Sequence, residues 1–116
     1  MQTKRVLLHV EDGPREAIDV GDVFYIEARE GDTLVRLRRS RPKIDRRRFD
    51  VALPVFVAAG LLRVHREYAV NPDRIRYVRR REGSREWEMV LDPPVNAVIP
   101  VSRQDYPKII RLFEGG

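Results

Sequence analysis

Apolar residues alternate with polar ones along most of this chain, and a period of two marks half-buried β-strands. Val6, Leu8 and Val10 interleave with Leu7 and His9, and the turn letters Glu11-Asp12-Gly13-Pro14 then send the chain back toward Ala17-Ile18, which predicts a hairpin. Val23 to Ala28 is a second apolar run. After Gly31-Asp32, which has turn chemistry, Leu34, Val35 and Leu37 interleave with Arg36 and Arg38, so a second antiparallel pair is expected, with one basic strand face. Leu61 to Asn71 reads as one alternating strand interrupted by Arg63, His65 and Arg66 and ended by the turn Asn71-Pro72-Asp73. Ile75 and Tyr77 alternate with Arg74, Arg76 and Val78, Glu82-Gly83-Ser84 supplies a turn, and Trp87, Met89 and Leu91 continue on a partner strand, a third hairpin. Phe24, Tyr68 and Trp87 fall at apolar-compatible strand positions and are expected in the core.

Two segments carry helical spacing instead. Phe49, Leu53, Phe56 and Val57 stand at i, i+4, i+7 and i+8, with Asp50 as a candidate cap and Gly60 as a stop, an arrangement that requires Pro54 in the first turn. Ser102-Arg103-Gln104-Asp105 resembles a capping box with Asp in place of Glu, and Ile109, Ile110 and Phe113 provide the apolar stripe behind it. Pro107 removes one backbone donor there. The expected fold class is therefore mainly β, small antiparallel sheets with one or two short helices.

Length and composition narrow this picture. A chain of 116 residues fits one domain, residues 1–116, because two cores would leave each half near the lower limit of independent folding. The longest uncharged apolar stretch, Val51 to Leu62, contains Pro54 and Gly60 and is far shorter than the ~20 residues of a spanning helix, so no membrane insertion is expected. Cysteine is absent, which removes disulfide scaffolds, thiol chemistry and cysteine-based zinc modules. With no apolar leader after Met1 to Arg5, a cytoplasmic location is expected.

Charge is the uneven property. Lys+Arg number 23 against 18 Asp+Glu, a net +5 that suits a polyanionic partner. Glu11 to Asp32 holds eight acids and two arginines, whereas Arg36 to Arg48 holds eight bases and one acid, and Arg74 to Arg85 holds six arginines and one acid. A bipolar molecule is expected from this segregation.

Catalytic chemistry finds no support. His9 and His65 lack HExxH or HxH spacing, Ser40, Ser84 and Ser102 lack a nucleophile elbow, and no glycine-rich loop cradles phosphate. Glu11-Asp12 and the Glu86/Glu88 pair read as solvated charge in a turn or on an exposed strand face. No enzyme activity, cofactor or metal is expected.

The stretch Arg63-Val64-His65-Arg66-Glu67-Tyr68-Ala69-Val70-Asn71 resembles the most recognisable run of the LytTR (LytR/AlgR-type) DNA-binding domain of bacterial transcription regulators, which has the sense R-h-H-R-S-Y-h-V-N with h apolar. Asp22-Val23-Phe24-Tyr25-Ile26-Glu27-Ala28, Ile75 after the Asn, and Ile99-Pro100-Val101-Ser102-Arg103 match further pieces in the family's order. The resemblance covers roughly Arg5 to Phe113 and departs at Glu67, where the family places a small hydroxyl residue.

The resemblance implies an elongated stack of small antiparallel sheets that presents loops, rather than a recognition helix, to successive major grooves of double-stranded DNA. Carried over by position, the base-contacting places fall on the loop at Asp32-Thr33, on Arg66 and on Arg103. Arginine suits that role independently, since its planar fork can reach guanine O6 and N7 together. Arg63, His65 and Ser102 are supporting candidates. For Arg36, Arg38, Arg39, Arg41, Lys43 and Arg46 to Arg48 the candidate role is contact with DNA phosphates, against a solvated face that binds acidic protein. Partners implied are duplex DNA as repeated sites, a second copy on DNA, and a regulatory protein or receiver domain. The competing reading is a protein-interaction module that keeps the fold without specific DNA binding. A single-strand binder is disfavoured because stacking aromatics do not interleave with the basic runs.

Overall fold

The computed structural model describes residues 4–11 and 13–115, so Asp12, part of the first predicted turn, lies outside the described residues. Strands β1 (Arg5–His9) and β2 (Arg15–Asp19) pair antiparallel as the alternation predicts, with Val6 opposite Ile18. A 3-10 turn at Val20–Asp22 leads into β3 (Val23–Arg29), which pairs with β4 (Asp32–Leu37). The two-residue connection is Glu30-Gly31, and both residues have positive φ, 50° and 86°. That is the geometry of a primed hairpin turn, for which glycine at the second place carries no steric cost.

Next come β5 (Lys43–Asp45), α1 (Phe49–Ala58), β6 (Leu62–His65) and β7 (Tyr68–Val70). The stretch expected as one strand is thus a hairpin whose tip is Arg66-Glu67. A two-residue turn by itself puts residues of opposite parity on one face, but the extra residue of the bulge between Arg63 and His65 restores the odd–even count, so alternation runs through the tip and hides the reversal. After a 3-10 turn at Pro72–Arg74 follow β8 (Ile75–Arg80), β9 (Trp87–Leu91), β10 (Val98–Val101) and α2 (Tyr106–Phe113).

The strands make three antiparallel sheets: β1-β2, a central five-stranded sheet in the order β5-β4-β3-β7-β6, and β10-β9-β8. Two apolar clusters hold them together. Val6, Leu8 and Ile18 of the first hairpin and Phe49, Ala52 and Phe56 of α1 pack with Ile26, Val35 and Leu37 of the central sheet. Phe24, Val64 and Val70 pack with Met89, Leu91, Ile99, Val101 and Ile109 of the three-stranded sheet and α2. The described residues measure 44 × 36 × 25 Å along their principal axes. No helix is long and apolar enough to cross a membrane among the described residues.

Several local expectations change. Pro54 lies at the sixth residue of α1 rather than in its first turn, and Arg48, not Asp50, is the capping residue, its carbonyl accepting from the Val51 and Ala52 amides. Pro54 is tolerated because it sits on the exposed side, where water can satisfy the Asp50 carbonyl that the ring deprives of a donor. The buried stripe is Phe49, Ala52 and Phe56, and Val57 is 45% exposed. Phe24 is fully buried, while Tyr68 and Trp87 sit half-buried at the rim of the second cluster. The β4 strand has no basic face: Thr33, Leu34, Val35 and Leu37 are all buried, Val35 and Leu37 in the first apolar cluster and Thr33 on the Arg47 carbonyl, and Arg36 is half-buried with its Nε enclosed and without a partner among the described residues. Glu88 is not solvated charge either, since its side chain is largely covered and meets Arg79 Nε at 2.7 Å.

Candidate nucleic-acid interface

Backbone hydrogen bonds bring three turns to one edge. The Ala28 amide donates to the Glu67 carbonyl at 2.9 Å, tying the end of the β3–β4 hairpin to the β6–β7 tip. The Ser102 amide donates to the Val64 carbonyl at 2.9 Å, tying the β10–α2 loop to the same tip from its other side. Arg66 stands between them. It lines one groove with Glu30, Gly31, Arg48, Asp50 and Glu67, and a second with Arg63, His65, Ser102, Gln104 and Asp105.

Each turn is shaped from within. His65 Nδ1 accepts from the Glu67 amide at 3.1 Å, and its ring meets Tyr68 edge-on with centroids 5.7 Å apart. That bond fixes the tautomer with the proton on Nε2 and rigidifies the tip, so His65 supports Arg66. Arg63 Nε donates to the His65 carbonyl at 3.3 Å. Only half of the expected capping box forms: Ser102 Oγ accepts from the Asp105 amide at 3.0 Å and donates to Asp105 Oδ2 at 2.6 Å, and the residue that caps α2 is Asp105, with no side-chain cap bond of its own. The Ser102 amide, which a Glu would have answered, is already used by Val64. Burial alone would raise the Asp105 carboxyl's pKa, but the Ser102 hydroxyl and the Lys108 ammonium, 3.0 Å away, hold it below the ordinary range. Arg103 projects from this ordered turn and is exposed. Asn71, the last letter of the diagnostic stretch, is buried and serves the fold: its Nδ2 donates to the Val20 and Val23 carbonyls and its Oδ1 accepts from the Asp73 amide.

The other predicted residues divide. Thr33 is fully buried and its hydroxyl donates to the Arg47 carbonyl at 3.0 Å, so the side chain faces the interior and not the groove. Arg47 is committed inward as well. Its Nε and Nη2 reach the fully buried Asp45 at 3.0 and 2.7 Å, and Nη2 also meets the Leu7 carbonyl at 3.2 Å. Arg36 lies mid-strand, and Arg38 is exposed at the far end of β4, about 20 Å of strand away from the Glu30-Gly31 turn. Arg46 is near the edge but pairs with Asp32 at 3.2 Å and Glu11 at 3.8 Å. Arg48 remains, with only a loose contact to Asp50 at 3.6 Å and both side chains well exposed. Gln104, which no charge or motif signal marks, shares the groove of Arg66 and Ser102.

Folding sets part of the acidic segment against part of the basic one. Lys43 meets Glu16 at 2.8 Å, Arg46 meets Glu11, and the Arg46 amide donates to the His9 carbonyl at 2.8 Å, so the acidic and basic segments neutralise each other where β5 crosses the first hairpin. What stays uncompensated on the three-turn edge is Arg66, Arg103, Arg63 and largely Arg48; none but Arg48 has a carboxylate within ion-pair distance among the described residues.

A family model described as LytTr DNA-binding domain matches residues 15–114. Among solved structures, a LytTr DNA-binding domain from Bacillus cereus superposes with a TM-score of 0.71 at 19% identity over 100% of both chains, a likeness of fold. Among curated protein sequences nothing matches. Since the family model spans nearly the whole chain, and the three turns lie together in the same fold, the protein belongs to the LytTR family of DNA-binding domains.

Proposed function

We propose that this domain binds double-stranded DNA sequence-specifically, as the output module of a bacterial, cytoplasmic transcription regulator, with Arg66 and Arg103 read into the major groove. The observation that carries this reading is the placement of two exposed arginines, without carboxylate partners among the described residues, on adjoining turns of one edge, each turn held by its own hydrogen bonds. A guanidinium needs a fixed approach to donate twice to one guanine, and a preorganised turn supplies it. Gln104 beside them offers the donor–acceptor pair that suits adenine. Arg48, Arg63, His65 and Ser102 support phosphate contact and turn geometry; Thr33 and Arg47 are left out of the proposed contact because their side chains are held inside the fold, and Arg36 and Arg38 because they lie along and just past β4, away from the three turns. Binding as a pair of copies on repeated sites, under a regulatory partner or receiver domain, completes the proposal.

The test is a gel-shift series on random duplex, single-stranded and genomic DNA pools over a range of salt. Enrichment of particular duplex sequences supports the reading; binding to acidic protein with no duplex retained would end it. Within that series, Arg48→Gln should weaken all duplexes alike and lower the salt slope by about 0.9, one phosphate's worth. An unchanged slope would return Arg48 to solvent.

Glu67 gives a sharper case. Its carboxylate is exposed at the tip, next to Arg66, and has no cation within ion-pair distance among the described residues. A like charge within a Debye length of phosphates, about 8–10 Å, repels them. Glu67→Ser should therefore strengthen duplex binding, more so at low salt. A variant weaker than wild type at two salt concentrations would show that the carboxylate makes a favourable contact, such as accepting from cytosine N4.

A further inference from the structure

We propose that the turn between β8 and β9 is a fourth DNA contact, in which Arg80 and Arg85 hold phosphates beside the base pairs read by Arg103. This rests on the DNA-binding reading above and extends it to a basic run that the three turns leave unused.

The structure sorts the six arginines of that run by what each already touches. Arg74 Nη2 donates to the Gly21 carbonyl at 2.7 Å and its guanidinium lies over Phe24, so it is part of the fold. Arg79 is taken by Glu88 at 2.7 Å, and Arg81 faces Glu86 at 3.7 Å. Arg76 lies over Tyr77 toward the other end of β8. Arg80 and Arg85 are exposed and have no carboxylate within ion-pair distance among the described residues.

Their position follows from the strand register. Trp87 is paired with Arg80 on one side and with Val101 on the other, so the β8–β9 turn opens at the end of the sheet where β10 gives way to Ser102-Arg103. Arg80 is two strand spacings from Val101, about 10 Å, which corresponds to roughly three base pairs along a duplex axis. The turn thus continues the edge formed by the other three, beyond Arg103.

Arg80 is also preoriented. Its guanidinium carbon lies 5.4 Å from the Trp87 ring centroid, and Trp87 stacks on Tyr106 with centroids 4.3 Å apart at 20°. The Tyr106 amide donates to the Ser102 carbonyl at 3.0 Å, so this stack is anchored to the loop that carries Arg103. A guanidinium held on an aromatic face keeps its outer N–H groups for a phosphate while losing little side-chain freedom on contact. Glu86 is partly answered by Arg81, which leaves Glu82 as the acid that limits the turn to one or two phosphates.

The test compares the full chain with its Arg80→Gln/Arg85→Gln variant and with Arg76→Gln, using a random-sequence duplex longer than two helical turns. The double variant should show a salt slope lower by about 0.9 for each phosphate it no longer neutralises, with unchanged thermal stability and unchanged base preference at the positions sensitive to Arg66 and Arg103. Arg76→Gln should keep the wild-type slope. Wild-type duplex binding with the same slope in the double variant overturns this proposal and leaves the three-turn reading intact, whereas no duplex binding by the wild type overturns both. Loss of polyglutamate binding in the double variant, with duplex binding unaltered, assigns the turn to an acidic protein and also overturns the proposal.

Discussion

Replacing Arg66 and Arg103 by Ala is expected to cost ~1–3 kcal/mol of specific binding each, the usual worth of one bidentate base contact, and to relax base preference at two separate positions. The separation follows from structure. Arg66 tips the β6–β7 hairpin and Arg103 sits on the β10–α2 loop, joined through the Ser102 to Val64 backbone bond but carried by different elements. The two effects should therefore be close to additive, each charge reading its own base pair. Random DNA should be affected much less than selected DNA, only by the share due to one charge near phosphate. Selection on random duplex with the wild type and both variants checks this. Equal weakening on selected and random sequences would make the two arginines phosphate contacts.

Asp45→Ala should destabilise the fold by about 3 kcal/mol, the low end for breaking a buried ion pair because the Arg47 side chain retains a solvent-facing edge. Asp45 is fully buried and accepts from the Arg47 amide at 2.9 Å, from Arg47 Nε and Nη2, and from the His9 amide at 3.3 Å. Without it, Arg47 keeps a charge pointed into the protein, and the clasp joining β1, β4 through Thr33, and the segment before α1 opens. Burial pushes the Asp45 carboxyl upward, yet the Arg47 hydrogen bonds and charge outweigh burial and hold it below the ordinary carboxylate range. A depressed folded-state pKa means that the unfolded chain binds the proton more readily. Its stabilisation is then complete above about pH 4 and is lost as pH falls through the folded-state value. Urea midpoints at neutral pH and across the acid range test both statements. Asp45→Asn should flatten the acid limb, and an acid limb as steep as the wild type's would assign the loss to other carboxylates. The same clasp sets where Arg48 emerges, so Asp45→Asn should also blunt the phosphate contact assigned to it.

Much of the architecture was legible in the order of residues. Three hairpins follow from alternation because a strand's buried face is written locally, every second residue, and the Ser102 half of the box was readable because a cap needs only its own four residues. The diagnostic stretch from Arg63 to Asn71 pointed to the tip that carries Arg66. Two short strands left no readable pattern. β5 is three residues inside a basic run, and β10 contains Pro100.

The site was decided by contacts far apart in sequence. Thr33 belongs to a loop by its letters, but β5 pairs it with Asp45 and turns it inward, where its hydroxyl meets Arg47. The charge runs predicted a bipolar molecule, and the crossing of β5 over the first hairpin set Lys43 against Glu16 and Arg46 against Glu11. A run of arginines specifies how much charge a chain carries, and the sequence by itself determined that total along with three of the hairpins and the family. Which of those charges meet an acid, stack on a ring or remain free depends on the partner each strand acquires. That pairing is a long-range property, so only the tertiary structure could leave Arg66, Arg103, Arg80 and Arg85 without a carboxylate partner among the described residues.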